Sequence, residues 1–283
     1  MDSDDVGVGS ILNRREAVRL LAAAGITAFA GTRLSRWTGE GTRSTPVDAR
    51  LSCVVRPELT EGPYFLDKQL DRSDIRAEPS TGLLRAGLPL ALTVNVSQLA
   101  NNACSPVVGA IVDVWQCDAE GIYSGVNDPL FGNRPAGEKF LRGYQRTDAS
   151  GAAKFTTIYP GWYQGRTVHI HFKIRTSTPG GQSYEFTSQF FFDDALTDRV
   201  FAQSPYAAKG KRDTRNAQDG IYRGGGAALV LAPTSAQTGY ASAFDVALDL
   251  NDARAAAPDG MRGGGRRGGP PPGGRRGGPP PGL

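Results

Sequence analysis

The chain has 283 residues, 39% hydrophobic and 21% charged, with 37 Gly and 19 Pro; that length holds one large β domain or two small ones. Lys and Arg number 32 against 28 Asp and Glu, a net charge of +4, but five of the arginines fall in the last 25 residues. Residues 31–258 carry 24 basic and 23 acidic side chains, so the charge balance excludes a strongly basic, nucleic-acid-binding core.

In chain order, Asn13-Arg14-Arg15 precedes the apolar run Ala17 to Ala30, which closes on Ala28-Phe29-Ala30. Residues 1–30 therefore read as a twin-arginine export signal and 31–49 as a linker, placing the mature protein in the periplasm or outside the cell. A short amphipathic helix carrying two arginines is the plainer alternative. That export route carries folded proteins and so suits one that takes up a cofactor first. No stretch reaches the roughly 20 apolar residues of a membrane-spanning helix.

Residues 50–252 form the predicted catalytic body. Leu88–Val96, Gly109–Cys117, Lys154–Tyr159, Thr167–Ile174, Tyr184–Phe192, Ala228–Leu231 and Phe244–Leu250 have strand length and composition, separated by Gly, Pro and Asp-Gly breaks. The pattern predicts an all-β fold, an antiparallel β-sandwich of about seven to eight strands. Gly125–Arg142 and Ala195–Gly226 read as long functional loops. Of the three cysteines, Cys53 and Cys104 sit at predicted strand edges and are the candidate disulfide, leaving Cys117 inside a strand.

The strand Thr167–Ile174 carries the entire histidine supply of the protein. Alternation puts Thr167, His169, His171 and Lys173 on one face and Val168, Ile170, Phe172 and Ile174 on the other, with the two imidazoles about 7 Å apart along the strand. On spacing alone this fits a solvent-facing strand edge as well as a metal site. Counting excludes three-histidine sites, and the only methionines, Met1 and Met261, lie outside the predicted fold, which disfavours a blue-copper centre. Two histidines with a carboxylate stay open. So do phenolates, hard anionic donors for Fe(III), because tyrosines crowd the turns Tyr159-Pro160-Gly161-Trp162-Tyr163 and Gly121-Ile122-Tyr123-Ser124.

With Thr60-Glu61-Gly62-Pro63-Tyr64-Phe65, Trp115 to Gly125, Phe140-Leu141-Arg142-Gly143 and Tyr159 to Phe172 in that order, the chain resembles the intradiol ring-cleavage dioxygenases across roughly Cys53 to Leu250. It looks most like an exported branch of that family. The resemblance implies one non-haem Fe(III) per chain, held by Tyr123, Tyr163, His169 and His171. It further implies Arg166 stabilising the anionic substrate, Gln189 supporting the site from behind, and Tyr64 at the pocket mouth. The implied partners are a small aromatic vicinal diol and O2; the implied product is a muconate-type dicarboxylate. Tyr159, four positions from Tyr163, competes for the ligand role. An exported non-catalytic β-sandwich binding module and a zinc hydrolase are the competing functions.

The chain closes on GGRRGGPPP at Gly264–Pro272, repeated at Gly273–Pro281. Residues 253–283 therefore read as a disordered cationic tail able to make weak contacts with anionic surfaces. The identity of the diol and the oligomeric state are not encoded in any motif.

Overall fold

The computed structural model describes residues 53–100, 103–128 and 137–251. The export signal, the linker and the cationic tail lie outside the described residues. Nine strands are described: β1 (Pro89–Ala100), β2 (Ala103–Pro106), β3 (Ile111–Trp115), β4 (Arg142–Arg146), β5 (Ala152–Ile158), β6 (His169–Ser177), β7 (Ser183–Phe191), β8 (Thr234–Ala236) and β9 (Gly239–Leu248). They form two sheets. In one, β1 pairs along one edge with β5 and β2 and along the other with β9, which pairs with β8; the second has the order β4-β3-β6-β7.

Alternation along the strands makes the core. Leu90, Leu92, Val94 and Val96 of β1 point the same way as Phe244, Val246 and Leu248 of β9 and join Val112 and Val114 of β3, Ile170, Phe172 and Ile174 of β6 and Phe186 and Phe190 of β7 in one buried cluster. Phe172 and Phe190 stack at 4.0 Å between centroids, and Phe190 meets Phe244 edge-on at 5.1 Å. That leaves the odd residues of β6 on the opposite face of the second sheet.

The structure departs from the sequence-based expectation in several places. The sheets are not wholly antiparallel, because β1 and β9 run parallel over Leu90–Gln98; strand direction leaves no mark in a hydrophobic alternation. Ala228–Leu231 is not a strand. A 3₁₀ turn occupies Gly226–Leu229, and Val230 makes a single bridge to Phe191. A four-residue apolar run records burial, here of Leu229 and Leu231, without recording backbone shape. The polar β4 and the short, exposed β8 carry no apolar alternation and were not foreseen. The expected loop Ala195–Gly226 contains α1 (Asp194–Phe201), whose N-terminus is capped by Asp193 accepting from Leu196 N–H, and the short α2 (Gly220–Arg223), capped by Asp219. Cys117 lies beyond the end of β3 and is a buried free thiol, while Cys53 and Cys104 form a disulfide with Cα atoms 5.6 Å apart. No helix among the described residues is long and apolar enough to cross a membrane.

Candidate metal centre

Sheet register assembles the floor of the site. His171 pairs with Trp115 on one side and Gln189 on the other, and Trp115 pairs with Arg142. Directly opposed residues share a face, so Arg142, Trp115, His171 and Gln189 form one row across all four strands. Trp115 lies flat against the His171 imidazole, 5.0 Å between centroids and 7° between planes. His169 and His171 are 2% and 1% exposed; the solvent-facing reading of the His-x-His strand is thereby excluded.

Two turns bring the tyrosines over this floor. Asp118 shapes the first by accepting from Glu120 and Ile122 N–H, both at 3.0 Å, and by pairing with Arg85. The second, after β5, is docked on the first: Gly161 N–H donates to Asp118 O at 3.0 Å. At Gly121, with φ +80°, a Cβ would lie 2.0 Å from the Trp162 carbonyl oxygen, so only glycine permits this approach. The backbones in contact carry Tyr123 and Tyr163 inward, 0% and 9% exposed.

The four side chains meet at one atom. His169 Nε2 is 3.1 Å from His171 Nε2, 3.2 Å from Tyr163 Oη and 3.5 Å from Tyr123 Oη. Tyr159 is elsewhere: its hydroxyl bonds Thr197 Oγ1 at 2.7 Å and its ring packs on Phe192. Tyr64 packs at a tilt against Tyr123, with centroids 4.7 Å apart and 32° between planes, and donates its hydroxyl to Asp128 Oδ2 at 2.8 Å, so it walls the cluster. Arg166 and Gln189 are joined to each other, Nη2 to Oε1 at 2.6 Å, and Gln189 Nε2 donates to Thr60 O at 2.8 Å.

Burial sets the electrostatics. It draws His169 down to about 3, helped by the charge of Arg166, and holds His171 well below the ordinary histidine range, helped by His169. The same burial raises Tyr123 and Tyr163 above the ordinary phenol range. Two neutral imidazoles and two phenols therefore crowd together.

These donors fit a cation. The carbonyl of Thr167 can only accept, so the 2.6 Å contact puts the proton of His169 on Nδ1 and leaves Nε2 with its single lone pair. Three groups surround that one acceptor, and His171 Nδ1 is buried with no hydrogen-bond partner among the described residues. A trivalent ion among the four would accept a lone pair from each and reverse the rise of the phenols. No group of three or more His, Cys, Asp and Glu able to hold a metal occurs among the described residues, so a zinc site of two histidines and a carboxylate finds no support.

Sequence reasoning assigned no role to two residues here. Arg142 is 3% exposed and donates to Tyr64 O at 2.6 Å and to Ser124 O at 2.8 and 3.1 Å, stitching together the segments that bear Tyr64 and Tyr123. Its guanidinium carbon is 5.9 Å from the Tyr123 ring centre. Asp219, 1% exposed, accepts from Arg166 Nε at 2.8 Å. Arg142 was visible only as part of a motif, and Asp219 only as an Asp-Gly break.

Residues 60–249 match the family model described as Dioxygenase. The chain is 32% identical to a solved intradiol ring-cleavage dioxygenase of Tetranychus urticae, over 70% of this chain and 96% of that one, with a TM-score of 0.59. It is 31% identical over 147 residues to the protocatechuate 3,4-dioxygenase beta chain of Burkholderia cepacia, covering 48% of this chain and 61% of the relative. To a chlorocatechol 1,2-dioxygenase of Pseudomonas putida it is 29% identical over 161 residues, covering 47% of this chain and 52% of the relative. The chain thus spans between half and two thirds of the length of these two curated relatives.

Proposed function

We propose that this chain, which belongs to the intradiol ring-cleavage dioxygenase family, opens an aromatic vicinal diol between its two hydroxylated carbons with O2, giving a muconate-type dicarboxylate that carries both oxygen atoms. The observation that carries the proposal is the convergence of Tyr123, Tyr163 and His171 on His169 Nε2. These four side chains would hold a non-haem ferric ion. When bound, that ion would draw electron density from the chelated diolate and make a ring carbon reactive toward O2.

The protein's own residues then have distinct tasks. Thr167 O fixes the His169 tautomer, and the Trp115 stack fixes the plane of His171. Tyr163, which the family resemblance marks as the phenolate that gives way to the diol, is also the more exposed of the two, at 9% against 0%, and would take up a diol proton. Arg166, through the side of its guanidinium not committed to Asp219 and Gln189, supports the negative charge that builds on the substrate ring. Tyr64 and Trp115 close the walls against water. Export is supported by Arg14-Arg15 and by a disulfide of the kind that persists in oxidising compartments.

Iron-loaded protein should be red to burgundy from phenolate-to-iron charge transfer. It should consume O2 with at least one member of a panel of catechol, protocatechuate, hydroxyquinol and larger vicinal diols. Products made under labelled O2 should carry two labelled atoms. A product cleaved beside the diol, or a colourless protein binding zinc one to one, would refute the assignment.

A further inference from the structure

The long segment after α1 folds back over the turn between Tyr163 and His169 and holds it at three successive residues. Asp213 accepts from Gly165 N–H at 3.3 and 3.2 Å, Asn216 Oδ1 accepts from the Thr167 hydroxyl at 2.6 Å, and Asp219 takes Arg166 and the Thr167 amide. Asp219 is the most tightly specified of the three. Its Oδ2 accepts from Arg166 Nε and from Thr167 N, both at 2.8 Å, and its Oδ1 accepts from Ile221 N at 2.7 Å and Tyr222 N at 2.9 Å. Both oxygens are thus used and the side chain cannot turn. The Arg166 amines bonded in this way, Nε to Asp219 and Nη2 to Gln189, lie along one edge of the guanidinium. Nη1 makes no hydrogen bond among the described residues. The carboxylate also sits upstream of the centre through Thr167, the residue whose carbonyl orients His169.

We propose that Asp219 is a positioning residue for the ring-cleavage reaction: it clamps one edge of Arg166 so that the other edge is presented to the anionic substrate, and anchors the backbone that sets His169. This rests on the reading of Arg166 given above. Two polar contacts along one edge, one to a charged carboxylate and one to the buried Gln189 amide, fix the guanidinium plane in a way that neither achieves alone. The α2 cap supplies the rigidity, because Asp219 begins that helix and has little freedom to follow a moving arginine.

The test uses the full-length, iron-loaded protein. Asp219→Asn keeps an oxygen for the α2 cap and loses the charge and the acceptor that face Arg166 and Thr167. Iron content and the phenolate charge-transfer band should match wild type. The kcat/KM for the best diol should fall roughly 10- to 100-fold, the range for loss of a residue that orients a metal site's neighbours, and the loss should sit in kcat, since the clamp serves charge that develops during reaction. In an Arg166→Gln background the same change should cost less than about threefold, because the group it aims is gone. Asp219→Glu should recover part of the rate. Spectral titration with 4-nitrocatechol, whose nitro group already draws negative charge into the ring as the reacting diol does later, gives a readout independent of turnover: Asp219→Asn and Arg166→Gln should weaken it to a similar degree, and the double variant no further.

Equal losses in both backgrounds, wild-type kinetics for Asp219→Asn, or loss of iron and fold together with activity would each overturn the proposal. If wild type consumes no O2 with any diol, it is the ring-cleavage reading that fails. The 4-nitrocatechol titration then still decides whether Asp219 acts through Arg166.

Discussion

Replacing Arg142 by Met separates a structural from an electrostatic role for this buried cation. The guanidinium supplies hydrogen bonds to Tyr64 O and Ser124 O, and Met leaves both carbonyls without them. At about 1–3 kcal/mol for each buried unsatisfied group, that loss is about 2–6 kcal/mol. Met also removes a cost: burial draws Arg142 from the ordinary arginine range down to about 10, and at 1.36 kcal/mol per pKa unit the native state spends about 3 kcal/mol on that charge. The net change in urea unfolding should therefore be small, between about 1 kcal/mol more stable and about 3 kcal/mol less stable. The charge also acts on Tyr123. With the guanidinium carbon 5.9 Å from the Tyr123 ring centre, Coulomb attraction at an effective dielectric of about 20 is close to 3 kcal/mol, roughly a hundredfold in the ionisation of Tyr123. Arg142→Met should accordingly shift the charge-transfer band, while ferric-ion retention, measured by chelator competition, should change by less than that hundredfold, because the same guanidinium also repels the ferric ion. If iron retention and the band match wild type while stability drops by several kcal/mol, the electrostatic argument is wrong and Arg142 is only a stitch between loops.

Two other outcomes follow from the same geometry. At Gly62, φ is +70° and an added Cβ would stand 3.3 Å from His171 Cε1. Gly62→Ala should cost about 1 kcal/mol from the left-handed backbone alone, lower the melting temperature by about 2–4 °C and disturb the iron absorption through His171; an unchanged spectrum would show that the loop yields instead. The metal-free protein should be acid-labile. His169 stays neutral in the fold down to about 3, while in the unfolded chain it takes up a proton near 6.5. Its contribution is therefore intact above 6.5 and is lost as pH falls, by about 2 kcal/mol between pH 7 and pH 5. Urea unfolding at the two pH values, with His169→Gln as the control whose slope should be flatter, checks this.

Local chemistry decides much of this protein in advance. Period-two alternation in Thr167–Ile174 already separates a core face from a histidine face, and β1, β3, β5, β6, β7 and β9 all lie where apolar alternation places them. The scarcity of histidine and methionine narrows the centre to oxygen donors before any fold is known. The four donors also follow from motif resemblance, and the structure brings all four to one atom.

Other features exist only once the chain is folded, because they depend on contacts between residues far apart in sequence. The parallel β1/β9 pair and the polar strand β4 are fixed by what lies beside them. Register across β4, β3, β6 and β7 lines up Arg142 with His171, and the fold-back after α1 sets Asp219 against Arg166, 53 positions away. Periodicity reports which face of an element is buried. It carries no information on which neighbour supplies a counter-charge, so the four clustered donors could be named from the motifs and the groups that aim them could not.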